Sequence, residues 1–507
     1  MKEENLDNIE KADLNNSAII FKDEIILNES RIEGLKDLIK KNKLEQKEEL
    51  RPIAWKLFLG IIPEESNKSI EEWIDIIDSQ RNEYKNKLNK YCSIKKFKQT
   101  DPLLNNENKD NDILIEEQNK EKNVINLINL DLARTHQNIE LFQKTKTKNS
   151  LSNILFIYAK ENEDLPYGQG MNELISMLFI CLYPYYFPCK NKENDDKNKI
   201  KEYLNDVDNH YEDIYLFFHK EEELQSDLFF LFEALMYKDI KNLYGKDDVK
   251  KDDINYKRYE IFPDMIKDNS NEERPTYLNL RAYMIVKEKL KILDKKLYNH
   301  FKNININCNY FLHRWFKCIF TREFDIKDVK CLWDKIFLYE YNNNKKFKYP
   351  LIYIDFICLA MIIRVRYQLL KKDEGDCFTI LFHYPKGDDI SEIIDISEKI
   401  SEIMENKLEQ KEYNVNEVLD LIKMNNNLSD DENENENGEA NDGLIISPHM
   451  YNQTKNKSLF SCDKKKESIV LCGKYNIKKK HALIFCFGII ILAILFWVYK
   501  NYLIDKK

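Results

Sequence analysis

Residues 165–182, LPYGQGMNELISMLFICL, restrict the architecture more than any other stretch of the chain. Met171, Leu174, Ile175, Leu178, Phe179 and Leu182 fall at helical spacing, and a helix this apolar has to be buried under other elements. The residues in front of it cannot extend the helix, because Pro166, Gly168 and Gly170 interrupt regular structure. Gln169 is therefore expected on a turn presented by a buried helix. A side-chain amide with glycine on both sides has room to be offered outward.

What covers that helix should itself be helical. Glycine and proline number 11 each in 507 residues, while Leu, Lys, Glu, Ile and Asn abound, so an all-α fold is expected rather than a turn-rich β design. The formal net charge is −9 and no basic stripe dominates, which argues against nucleic acid as the main partner and for proteins. Eleven cysteines, an odd number, are scattered from Cys92 to Cys486 without a CxxC pair or clustered histidines. They are expected to be reduced, mostly buried residues of a cytosolic chain, with neither a disulfide framework nor a metal site. No apolar run follows the first charges, so no secretory signal is expected.

Three further apolar-patterned segments, after a polar tail, precede the opening stretch. Residues 1–30 read as a polar tail. Residues 50–63, LRPIAWKLFLGIIP, describe a buried helix with Pro52 in its first turn and Gly60 as its stop. After a polar, Asn-rich loop expected over 93–122, residues 124–142 place Asp131 and Arg134 three apart, where they share a helix face and can touch. Taken alone, that is an ordinary solvated ion pair. Residues 150–160, SLSNILFIYAK, form a helix buried nearly all round and deliver the chain to LPYGQG.

Together these segments resemble the TBC domain of Rab GTPase-activating proteins. Arg51 and Trp55 match the first motif, R-x-x-x-W. Ile128, Asp131, Arg134 and Thr135 match the second, I-x-x-D-x-x-R-T, and Tyr167, Gln169, Gly170, Met171 and Asn172 match the third, Y-x-Q-G-M-N. Residues 308–337 are similar to a later signature through Arg314, Trp315, Arg322, Glu323, Phe324, Trp333 and Asp334. The resemblance implies an all-α TBC domain of two subdomains over residues 31–405, with polar loops near 93–122, 189–205 and 244–274. It also implies that Arg134 and Gln169 are fingers inserted into a GTP-bound Rab-family GTPase, with Asp131, Tyr167 and Thr135 in support. Arg51, Trp55, Ile128, Gly170, Met171, Asn172, Trp315, Trp333 and Asp334 would be fold residues. No cofactor is expected, because GTP and magnesium would be carried by the partner. Gly168 stands where family members more often have a larger residue, which implies a looser loop around Gln169.

Beyond residue 405 the chain changes character. Residues 406–480 are acidic, Asn-rich and weakly patterned, as expected of a disordered linker. Residues 482–499 hold no charge, and 12 of those 18 are Leu, Ile, Phe or Val. With Lys478, Lys479 and Lys480 before the run, and Trp497, Tyr499 and Lys500 at its far edge, a transmembrane helix over 481–499 is expected. At ~1.5 Å per residue it would cover about 27 Å, closer to an endoplasmic reticulum or Golgi bilayer than to a plasma membrane. A short tail, 500–507, follows it, the order of a tail anchor with the helical domain in the cytosol. Two rival functions fit the same segments: a catalytically silent, membrane-anchored module that tethers a GTPase or trafficking partner, and a helical scaffold with no GTPase partner.

Overall fold

In a chain with few breakers, apolar residues recurring at helical spacing leave the backbone little alternative to helix. The computed structural model describes residues 9–63, 69–92, 109–165, 167–188, 196–245, 276–343, 351–385 and 390–408. Its principal helices are α1 (Leu14–Phe21), α2 (Arg31–Lys40), α3 (Arg51–Phe58), α4 (Ile70–Cys92), α5 (Lys109–Arg134), α6 (Thr145–Glu161) and α7 (Met171–Leu182). They continue as α8 (Val207–Phe218), α9 (Leu224–Leu235), α10 (Asn309–Cys318), α11 (Ile326–Asn343), α12 (Tyr353–Arg364) and α13 (Ser391–Leu408), joined by shorter turns. Among the described residues, Phe187 and Lys220 form an isolated bridge.

Two helices act as axes. Every residue of α7 is buried, and α3, α5, α6, α9 and α10 surround it. In α12 every residue but the last, Arg364, is buried, beneath α10, α11 and α13. The groups around these axes interlock, because α11 also lies on α2 and α3 and α10 reaches α7. The described residues fall in one compact unit.

Buried charges fix how the helices meet. On α3, Arg51 donates to Asp334 of α11 from Nε at 3.1 Å and from Nη2 at 3.0 Å, and Trp55 Nε1 donates to the same carboxylate at 2.7 Å. Burial lowers the Arg51 pKa, but Asp334 and Glu48 more than reverse that and hold the guanidinium charged. Burial still leaves the Asp334 carboxyl above its ordinary range, yet the fork and the indole N–H both call for the anion as acceptor, and we read the pair as ionised. A second knot gathers Lys56 (2.7 Å), Arg81 (2.8 Å) and the Tyr186 hydroxyl (2.6 Å) on Asp227 of α9. Around α12, Arg281 donates to Asp355 at 2.8 Å.

Several polar stretches are more ordered than their composition implies. The tail expected over residues 1–30 contains α1, started by Asp13 Oδ1 accepting from the Asn16 N–H at 2.7 Å. Ala18, Phe21 and Ile25 recur on one buried face, and the Phe21 ring meets Tyr215 and Phe218 of α8. Of the loop expected over 93–122, residues 109–122 belong to α5; of 189–205, Lys197–Tyr203 is helical, with Ile200 buried. The expected linker begins later than 406, since α13 continues to Leu408. Pro166, residues 93–108, 189–195 and 246–274 of the expected loops, the rest of the linker and the apolar run at 481–499 lie outside the described residues. Among the described residues no helix is long and apolar enough to cross a membrane.

His219 closes α8, stacked on Tyr215 with ring centroids 4.2 Å apart and its Nδ1 3.1 Å from the Tyr215 carbonyl. Burial, reinforced by the Lys56 cation, lowers its pKa from 6.5 to about 3. The folded pKa lies below the unfolded one, so this stabilisation is complete above pH 6.5 and is lost as the pH falls toward about 3. His219→Phe keeps a ring and removes the titration. The fall in melting temperature between pH 6.5 and 4 should be shallower in the variant than in the parent; equal slopes would overturn the account.

Candidate functional site

The site is made where one helix ends and another begins. In α5, Ile128 and Leu132 turn inward, and Asp131 is only 3% exposed. Arg134, one turn later, is the last residue of α5, where a cation suits the negative end of the helix dipole. Its side chain is 65% exposed, and its Nη2 donates to Asp131 Oδ1. Thr135 Oγ1 donates back to the Asp131 carbonyl at 2.8 Å and helps to end the helix. Leu127 and Leu130, which precede Arg134 by seven and four residues on one face, are 44% and 63% exposed.

The turn in front of α7 is stitched to that helix end. Tyr167 donates its hydroxyl to Asp131 Oδ2 at 2.7 Å, and burial together with the adjacent carboxylate pushes the phenol well above its usual range, so it remains a donor. Asn172 Nδ2 donates to Thr135 Oγ1 at 2.8 Å, while its Oδ1 accepts from the Gly170 N–H at 3.1 Å. Gly170 caps α7 with φ at 108°, a left-handed conformation that disfavours any side chain. The Met171 N–H donates to the Gly168 carbonyl at 3.1 Å and closes the turn. Gln169 sits at its tip and is exposed. One buried carboxylate thus holds an exposed arginine with one oxygen and anchors the loop of an exposed amide with the other.

The family model for the Rab-GTPase-TBC domain (RabGAP-TBC) matches residues 48–370, more than half of the chain. The chain belongs to this family. Among known proteins, TBC1 domain family member 5 of Mus musculus is 26% identical over 356 residues, covering 68% of this chain and 39% of that protein. TBC1 domain family member 13 of Homo sapiens is 26% identical over 254 residues, covering 50% of this chain and 47% of that protein. GTPase-activating protein GYP1 of Saccharomyces cerevisiae is 23% identical over 284 residues, 56% of this chain and 34% of that protein. The chain thus spans about two-fifths of the length of the member 5 relative. Among solved structures, the crystal structure of the Ypt/Rab-GAP domain of Gyp1p matches with a TM-score of 0.50 at 19% identity, covering 78% of this chain and all of that one. At that identity the likeness speaks to the fold.

Within this TBC domain the motif residues divide into two groups. Asp131, Arg134, Thr135, Tyr167, Gly170 and Asn172 meet at the exposed site, with Ile128 and Met171 buried beneath; no hydrogen bond among the described residues joins Arg134 to Gln169. Arg51, Trp55, Trp333 and Asp334 form the separate buried knot, and Trp315 packs against Phe311 and Tyr384. Gly168, where a looser loop is expected, lies against the Tyr244 ring, which occupies the space a side chain would take. Tyr244 carried no signal in the sequence: it lies in a polar stretch 76 residues from Gly168 and belongs to none of the motifs. Arg322, part of the later signature, supports the start of α7 by donating to Glu173 at 2.8 Å.

Asn172 is the stitch most open to direct measurement. Asn172→Ala leaves the buried Gly170 N–H without its side-chain acceptor and Thr135 without its donor, and should lower unfolding stability by about 1–3 kcal/mol in urea titrations. An unchanged midpoint with an unchanged slope would mean that the two segments are not joined through this amide.

Proposed function

We propose that this chain accelerates GTP hydrolysis by a membrane-bound small GTPase of the Rab class, supplying Arg134 and Gln169 in trans. The observation that carries the reading is Asp131: a buried carboxylate aims an exposed arginine and, through Tyr167, fixes the turn bearing an exposed glutamine. The description of the Gyp1p relative as a Ypt/Rab-GAP domain supports the class of partner.

The chemistry follows from what a GTPase lacks by itself. Hydrolysis is slow when charge developing on the β- and γ-phosphate oxygens is incompletely neutralised and the attacking water is loosely held. Arg134 brings a planar guanidinium whose donors match those oxygens. Gln169 brings an amide that accepts from the water with its oxygen and donates with its nitrogen, without acting as a competing base. Asp131 keeps Arg134 from sampling its many rotamers before the partner arrives, so less order has to be created on binding. GTP and magnesium belong to the partner in this reading, and this chain adds no cofactor.

Anything that receives Arg134 must also cover the end of α5. Leu127 and Leu130 stand exposed there, on the face that leads to the arginine, and we assign them to apolar contact with the GTPase. The uncharged run at 482–499 would hold the domain at a membrane, with the endoplasmic reticulum or Golgi favoured by its length. No specific observation favours a silent tether, since neither finger position is substituted.

Single-turnover GTP hydrolysis across a panel of Rab proteins tests the reading. Arg134→Ala and Arg134→Lys should each remove most of an acceleration of about 10³ to 10⁵, because lysine cannot reproduce the guanidinium fork. Gln169→Ala should lose a large part of the rate and retain binding. Full acceleration by both Arg134 variants would sink the assignment. Leu130→Asp should raise the concentration for half-maximal acceleration by about tenfold or more while leaving the limiting rate nearly intact, as loss of a buried leucine contact predicts. A reduced limiting rate at unchanged half-saturation would remove Leu130 from the docking surface.

A further inference from the structure

We infer that Tyr244 is a positioning residue for Gln169, its ring standing in for the side chain that residue 168 lacks and thereby setting the pose of the turn. The inference rests on the role given to Gln169 above. Tyr244 ends a short turn, Lys241–Tyr244, and is buried. A Cβ added to Gly168 would lie 2.7 Å from Tyr244 Cδ1 and 3.3 Å from its Cβ and Cγ. A Cβ added to Gly170 would lie 3.3 Å from the Tyr244 hydroxyl and 3.5 Å from Cε1. One ring therefore runs beneath both glycines that flank Gln169, its base against the first and its hydroxyl end against the second.

The ring is itself held from the other half of the fold. Its hydroxyl donates to the Lys317 carbonyl in the last turn of α10. Burial pushes that hydroxyl well above its usual range, so it stays a donor. The next residue, Gly245, approaches Leu165 at the start of the same stretch, with a notional Cβ 3.9 Å from Leu165 Cδ1. The turn of Gln169 is thus gripped on two sides: by the hydrogen bonds it donates to Asp131 and Asn172, and by the face of Tyr244. Gly168 and Tyr244 are complementary in volume. The contact at 2.7 Å is to the ring near its attachment, with the chain's own Cβ close behind, so a side chain at 168 cannot be admitted by swinging a flexible tip aside.

The test is a double-mutant cycle in single-turnover GTP hydrolysis with the full chain, reading the limiting rate and the half-saturating concentration separately. Tyr244→Ala should lower the limiting rate about tenfold or more with half-saturation little changed, as expected when a reacting group loses its pose. Tyr244→Phe, which keeps the ring, should stay within a few-fold of the parent. In a Gln169→Ala background, Tyr244→Ala should slow the reaction little further, because the group it positions is gone. Gly168→Ala should slow hydrolysis when Tyr244 is present, and much less when Tyr244 is also alanine. Hydrogen exchange over residues 165–171 gives a readout independent of any GTPase, and it should quicken in Tyr244→Ala and not in Tyr244→Phe. If Tyr244→Ala slows both backgrounds by the same factor, or leaves exchange in the turn unchanged, the positioning role is overturned while Gln169 keeps its own. If Gln169→Ala alone leaves the rate intact, the role of Gln169 falls, and that of Tyr244 with it.

Discussion

The carboxylate of Asp334 is the point on which the rest of the fold turns. It is buried and accepts from the Arg51 guanidinium and the Trp55 indole, whose positions are 283 and 279 residues away in sequence. A carboxylate taken out of water is costly unless its partners are all in place, so α3 and α11 can come together in few ways other than this one. Once they do, Trp55 meets Trp333 and Phe337 with centroids 5.7 and 5.2 Å apart, and α3 is fixed across α7. The helix that presents Gln169 is therefore oriented by contacts well away from the site. The same half of the chain returns to the turn itself, through Arg322 on Glu173 and through Tyr244, whose hydroxyl is held by Lys317.

What could be read in advance was what is local. The apolar period of α7, the Pro52 and Gly60 signals around α3 and the three-residue spacing of Asp131 and Arg134 each act within one or two helical turns, and each is found in place. The order of α1 was hidden because Ala18, Phe21 and Ile25 are outnumbered by polar neighbours, and only the rings of α8 reveal which face they serve. Residues 197–203 mislead in the same way, since their Asn and Lys run resembles a loop until the burial of Ile200 selects the helix, and the equally polar residues 109–122 are helical as part of α5. The pairing of Arg51 with Asp334 and of Gly168 with Tyr244 had no local trace. Both are matters of complementary charge or volume between distant segments, and a single sequence records neither.

The contrast between Arg134 and Asp131 bears on what the site is for. An ion pair with one member in solvent contributes little to stability, and Arg134 is 65% exposed, so stability gives no strong reason to keep it. Asp131 differs: it is buried, and Tyr167 binds its second oxygen. A neutral pair of similar shape would serve the fold as well or better, since burying a carboxylate has a desolvation cost that a neutral group avoids. The arrangement makes sense when the carboxylate is needed to hold a cation outside the protein's own surface, in a fixed pose relative to the turn of Gln169. The hydrogen bonds from Tyr167 and Asn172 then couple the two segments, and the Tyr244 ring limits the turn from below. What these residues share is position, which is what the proposed role in completing a partner GTPase's site requires.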